Sequence, residues 1–172
     1  MGMSVKPEQF GDYSVKNVKS FQGREGYGFN CTLYRNGKKV GSCIDDASGG
    51  EMYPISWERN VDAEAEQKLL DEHITTIPKV KTDRDIELTV NEGWFVTDLV
   101  TYFELQRDVR KMAKQCKTKT LFRTPEQNRG SYSIIPSPCD DRMREHIRKK
   151  YGDAEIFNDV INEGNIPSVL GG

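Results

Sequence analysis

Hydrophobic and polar side chains alternate along the first third of the chain. Phe29, Cys31 and Leu33 are interleaved with Asn30, Thr32 and Tyr34, the period-two pattern of a half-buried strand. Tyr34-Arg35-Asn36-Gly37-Lys38-Lys39 follows, and its Asn-Gly pair accepts the positive φ angles of a two-residue type I′ turn. Counting outward from that turn sets Leu33 opposite Val40, Cys31 opposite Ser42 and Phe29 opposite Ile44. The expected core face is then Phe29, Cys31, Leu33, Val40 and Ile44, with Asn30, Thr32, Tyr34, Lys39 and Cys43 on the other face. Cys31 and Cys43 point to opposite sides in this register, so no bridge between them is expected. Residues 13–21 supply a preceding strand and 52–57 a following one, separated by Gly-rich joints at 23–28 and 48–50.

The period then lengthens. Residues 62–73 predict a short acidic helix with Val61, Ala65, Leu69 and Leu70 as its apolar side. Ile86, Leu88 and Val90 alternate with Glu87 and Thr89, which predicts a strand. The longest helix is expected over 92–116, with Asn91 as N-cap and Val90 and Phe95 at the spacing of a hydrophobic staple. Phe95, Leu99, Tyr102, Val109, Met112 and Cys116 trace its apolar stripe, and Arg107, Arg110, Lys111 and Lys114 fall on or beside the opposite face. Residues 118–123 and 131–135 predict a second hairpin. Ser137-Pro138 reads as the start of a helix, Ser as N-cap and Pro at N1, with Asp140 and Asp141 in the first turn and a stop at Gly152. A last short helix is expected over 153–162, and residues 168–172 as a flexible tail. There is no internal repeat or heptad run. The pattern predicts an α+β fold: an antiparallel N-terminal sheet of hairpins, amphipathic helices and a second small hairpin in the C-terminal half. One domain over 1–172 is expected, with lobes at 1–90 and 91–172.

Composition narrows the setting. The chain has 172 residues, 35% of them hydrophobic, and a mean hydropathy of -0.71. No stretch approaches the length of a membrane span. The N-terminus lacks the layout of a signal peptide, and Lys6 stands where myristoylation requires Ser or Thr. Cys31, Cys43, Cys116 and Cys139 are widely spaced and are expected as reduced thiols of a cytoplasmic protein.

Net charge is -2, but unevenly placed. Residues 1–60 carry +1, 61–99 carry -6, 101–150 carry +7 and 151–172 carry -4. The basic third quarter supplies Lys111, Lys114, Lys117, Lys119, Arg123, Arg129, Arg142, Arg148, Lys149 and Lys150. Gathered on one face, these would meet phosphates or an acidic protein. The competing explanation is that cations at helix C-termini complement the macrodipole, with the acidic segments neutralising the rest.

Catalytic chemistry finds little support. Gly23-Arg24-Glu25-Gly26-Tyr27-Gly28 has the wrong glycine order for a dinucleotide site, precedes no helix and has no Walker lysine. His73 and His146 have no ligand-type partner at zinc spacing. Asp45, Asp46 and Glu51 could hold a hard cation around Gly49-Gly50, though a solvated turn explains them as well. Glu66-Gln67-Lys68 matches half of a metal-dependent nuclease signature but lies on a predicted helix, where a solvated face explains it. Cys139 is expected in a helix first turn, where a thiolate is favoured, yet His146 is two turns away, about 10 Å along the axis. No catalytic residue, metal or cofactor is expected.

Two stretches carry a resemblance. Residues 21–40 (Phe-Gln-Gly-Arg-Glu-Gly-Tyr-Gly-Phe-Asn-Cys-Thr-Leu-Tyr-Arg-Asn-Gly-Lys-Lys-Val), followed by Asp45-Asp46 and Gly49-Gly50, form the first. Lys119-Thr120-Leu121-Phe122-Arg123 with Arg148-Lys149-Lys150-Tyr151-Gly152-Asp153 forms the second. Together they resemble small proteins encoded by bacteriophages and prophages, a group with no activity attached to it. The resemblance implies a small accessory protein made in a bacterial cytoplasm. The expected function is therefore non-enzymatic: binding of a host or phage macromolecule, a protein foremost, with inhibition of a host defence system as one form. Nucleic-acid binding through the basic 107–150 segment is the alternative, and a metal-dependent enzyme the second alternative.

Overall fold

The computed structural model describes residues 3–82 and 84–171; the expectations resting on Met1, Gly2 and Gly172 lie outside them. The fold is α+β, in two compact units, Met3–Glu104 and Leu105–Gly172. The division falls inside a helix that the sequence pattern assigns whole to the second lobe.

In the first unit, β1 (Tyr13–Gln22), β2 (Tyr27–Arg35), β3 (Lys38–Asp45) and β4 (Ser56–Trp57) form an antiparallel sheet in the order β1-β2-β3-β4. The β2–β3 turn is the expected one, with Asn36 at φ 49 and Gly37 at φ 73. Beyond it the register departs from expectation. Arg35 pairs with Lys38 and Tyr34 with Lys39, but Leu33 pairs with Gly41, Cys31 with Cys43 and Phe29 with Asp45. Val40 is the extra residue of a β-bulge, and a one-residue slip exchanges the faces of everything after it. Cys43 is therefore fully buried, and Ile44, expected in the core, is 44% exposed. The two cysteines face each other instead of pointing apart. A second bulge, between Lys16 and Lys19, bends the long edge strand β1, with Asn17 at φ 54.

Helix α1 (Ala63–Thr75) starts at Asp62, whose side chain accepts from the Ala65 N–H. Its buried residues are Glu66, Leu70 and Ile74; Ala65 is exposed and Leu69 42% exposed, so the expected apolar side is rotated. The cause is a long-range ion pair. Arg35 of β2 donates twice to the Glu66 carboxylate, at 2.7 and 2.6 Å, and draws that helix position inward. Glu66 is thus no part of a solvated face. The predicted strand over Ile86, Leu88 and Val90 shrinks to a two-residue pairing of β5 (Val80–Lys81) with β6 (Glu87–Leu88), with Ile86 and Leu88 exposed.

Helix α2 spans Glu92–Cys116, as the pattern predicts, and Asn91 accepts from the Trp94 N–H at 2.8 Å. Val90, Phe95, Val96, Leu99 and Val100 join Val15, Phe29, Leu33 and Leu70 in the core of the first unit. Within that core Asp98 is 5% exposed and accepts from the backbone N–H groups of Ser4 and Val5. Burial raises its pKa, against the opposing pull of those two bonds.

The second unit is built on a three-stranded antiparallel sheet in the order β8-β7-β9: β7 (Thr120–Arg123) is central, between β8 (Ser133–Ile135) and β9 (Glu155–Ile156). Successive residues of β7 face opposite sides. Leu121 packs with Met112 of α2 and Phe157, and Phe122 with Ile147 and Ile156. The end of α2 therefore covers one face and α3 (Asp141–Tyr151) the other. Asn158, 2% exposed, ties the first layer together: it accepts from the Leu121 N–H and donates to the carbonyls of Cys116 and Lys119.

The second unit departs from three expectations. The N-cap of α3 is Asp140, which accepts from the Met143 N–H, so the helix begins later than Ser137-Pro138 suggests. The last predicted helix splits into β9 and α4 (Phe157–Asn162), because β7 offers Ile156 and Glu155 a ladder. Finally, the C-terminal segment is docked: Ser168 donates to Glu155 through both its N–H and its hydroxyl, and Val169 and Leu170 pack on the Met112 cluster.

Candidate functional site

The two units differ in charge. Leu105–Gly172 carries 13 basic and 9 acidic side chains, net +4, whereas Met3–Glu104 carries 12 and 18, net -6. In the basic unit the carboxylates are largely used internally. Asp159 and Asp141 pair with Arg144, which raises the arginine's pKa chiefly through the Asp159 bond. Glu155 pairs with Arg123 at 3.8 Å and holds Ser168, and Asp140 caps α3.

Most of the predicted cations are left without such partners. Among the described residues Lys111, Lys114, Lys117, Lys119, Arg129, Arg142, Arg148, Lys149 and Lys150 take part in no ion pair found, and all but the half-buried Lys119 are exposed. Arg123 is the exception. On α2, Arg110, Lys111 and Lys114 fall within about 100° of arc, opposite the buried Met112. Lys117 and Lys119 continue the series past the helix end, and no acidic residue interrupts 110–119. Arg110 belongs to this row although it stands outside the predicted set; its spacing of four from Lys114 was the available signal.

The remaining cations lie elsewhere. Arg142, Arg148, Lys149 and Lys150 sit on α3, with Lys150 over the Tyr151 ring at 5.1 Å. Because α2 and α3 cover opposite faces of the small sheet, their solvent sides look away from each other. Arg129 is on the β7–β8 loop. The structure thus sorts the predicted residues into a row along and just past the end of α2 and a separate group on α3, with Arg123 on β7 and Arg129 on the β7–β8 loop outside both.

The alternative sites fare differently. Asp46 accepts from the Ser48 N–H and hydroxyl and from the Tyr53 hydroxyl, bonds that lower its pKa, and Asp45 accepts from the Ala47 N–H. These carboxylates shape a turn. Among the described residues no group of three His, Cys, Asp or Glu side chains is placed to hold a metal ion. A shallow cleft of ≈ 340 Å³, lined in part by Asp45, Glu51, Asn91, Glu92 and Trp94, opens beside the start of α2 but brings no nucleophile and base together. Cys139 precedes α3 instead of lying in its first turn, and burial pushes its thiol up, against the pull of Arg144. That is opposite to an activated thiolate. No helix of the described residues is long and apolar enough to cross a membrane. Comparison of the chain with protein-family models, curated proteins and solved structures gives no match.

Proposed function

We propose that the protein is a non-enzymatic binding factor that docks an acidic macromolecular surface on the cationic row of α2. The observation that carries this reading is the run of Arg110, Lys111, Lys114, Lys117 and Lys119, mostly exposed and free of intervening carboxylates, in a unit where Glu155, Asp141 and Asp159 pair with Arg123 and Arg144 and not with this run. Unneutralised cations in a row steer an oppositely charged partner and fix its register. In the bacterial cytoplasm, the setting that the phage resemblance implies, the partner is a host or phage protein, and occupying its acidic surface would inhibit it. A host defence complex is one such target.

Nucleic acid is the second reading, favoured by the same row: Lys111 and Lys114 stand about 4.5 Å apart along the helix axis, Lys117 and Lys119 follow just past its end, and together they present point charges to a phosphate backbone. The separation of the α3 cations from this row argues for the protein partner first, because a duplex would draw on a broader basic surface. Affinity capture from host lysate with the wild type and with a Lys111→Glu/Lys114→Glu variant, alongside gel shifts on duplex and single-stranded DNA and RNA at low and moderate salt, separates the two. A protein captured by the wild type and lost by about tenfold or more with the variant supports the leading reading. Salt-sensitive gel shifts without a captured protein favour the second. Capture unaffected by the charge reversal, with no gel shift even at low salt, overturns both.

A further inference from the structure

Cys31 and Cys43 stand directly opposite each other in the β2–β3 ladder, and both are free thiols. The bulge at Val40 creates this pairing; in the unbulged register Cys31 would face Ser42. Directly opposed residues of an antiparallel pair have Cα atoms about 4.5–5.5 Å apart, inside the roughly 4.4–6.8 Å span of disulfides. The neighbouring Cys31 thiol together with burial pushes the Cys43 thiol up. Cys43 is fully buried and Cys31 5% exposed. Two buried thiols are therefore held at directly opposed positions on strands already locked by the Asn36-Gly37 turn.

We propose that Cys31 and Cys43 are an oxidation site, a dithiol that closes to a cross-strand disulfide on meeting hydrogen peroxide. The Cys31 sulfur, the less buried of the two, attacks one peroxide oxygen; the O–O bond breaks, one water leaves and a sulfenic acid remains. The Cys43 sulfur then attacks the Cys31 sulfur, the S–O bond breaks and the hydroxyl departs with the Cys43 proton as a second water. Two electrons and two thiol hydrogens pass to one peroxide. Neither thiol is activated, so closure is slow and depends on the opposed partner being in place to trap the sulfenic acid; burial admits a small neutral oxidant and not an enzyme disulfide, which could not reach either sulfur. Cys116 and Cys139 serve as an internal control, because they belong to clusters on opposite faces of the small sheet.

The experiment treats the folded, reduced full chain with hydrogen peroxide, alkylates the remaining thiols in denaturant and maps the peptides by mass spectrometry. The expected product links the peptides containing Cys31 and Cys43, leaves Cys116 and Cys139 alkylated and reverts with dithiothreitol. Closing this hairpin loop is expected to raise Tm by about 5–10 °C over the reduced protein. Alkylation of Cys31 and Cys43 as readily as before, a bridge to Cys116 or Cys139 in preference, or a 31–43 bridge that leaves Tm unchanged or lower overturns the proposal. The readout uses wild-type protein, so it does not depend on whether Cys→Ser variants fold.

Discussion

Asn158→Ala tests how the second unit is held together. The Asn158 amide is the partner of three backbone groups: it accepts from the Leu121 N–H at 2.9 Å and donates to the Lys119 and Cys116 carbonyls at 2.9 and 3.1 Å. Truncation leaves all three without that partner beside a side chain only 2% exposed. An unsatisfied buried group costs about 1–3 kcal/mol. Three groups at the low end, allowing for water entering the vacated space, give a loss of about 3–4 kcal/mol. Asn158→Asp is no rescue at neutral pH, because its carboxylate accepts from Leu121 but faces two carbonyl oxygens. It should regain stability in acid, where the protonated carboxyl donates to one of them. Both tryptophans, Trp57 and Trp94, lie in the first unit, so their fluorescence does not report this change. Urea unfolding followed by far-UV circular dichroism, with hydrogen exchange at the Leu121 amide, reads it directly. A loss below about 1 kcal/mol with the Leu121 amide still protected would refute the reasoning.

Other substitutions probe the first unit. Tyr13 is 6% exposed, its hydroxyl has no hydrogen-bond partner and its pKa is pushed up to about 12, chiefly by burial. Tyr13→Phe should raise stability by about 1 kcal/mol in thermal melts, and a lower Tm would count against an orphaned hydroxyl. At Gly28 an added Cβ would lie 2.6 Å from the Asp45 carbonyl oxygen and 2.7 Å from the Phe21 ring; Gly28→Ala should cost about 1–3 kcal/mol in chemical denaturation, and a neutral result would rule out the clash. Two buried carboxylates set opposite pH slopes. Hydrogen bonding to Arg35 lowers the Glu66 pKa, so its contribution is present above the unfolded-state pKa and is lost as pH falls through the depressed folded value. Asp98 has a raised pKa, so its contribution is full below the unfolded-state pKa and is lost as pH rises through the elevated folded one. In melts over pH 2–8, Glu66→Gln should flatten the acid-side loss and Asp98→Asn the decline above it; unchanged profiles would refute both assignments.

The elements read correctly from sequence are those whose signals are local. The α2 bounds follow from Asn91, the Val90–Phe95 staple and an unbroken helical stripe, all within a few residues of the ends they define. The Asn36-Gly37 turn needs only its own two residues. The cationic row was legible for the same reason, since helical spacing alone puts Arg110, Lys111 and Lys114 together. The relation of that row to the α3 cations was not, because it depends on which face of β7 each helix covers.

Local chemistry thus sufficed for the fold class, the longest helix, the hairpin turn and the asymmetry of charge. Tertiary contacts decided the rest. The Val40 bulge turns Cys43 inward and Ile44 outward, the Arg35 guanidinium draws Glu66 into a helix's buried side, and β7 recruits Ile156 into a strand. In each case the deciding partner lies outside the window that propensity or periodicity can sense, or the shift is a single residue that no pattern marks. Burial follows the contact that satisfies a polar group or fills a space, and that contact exists only once distant segments meet.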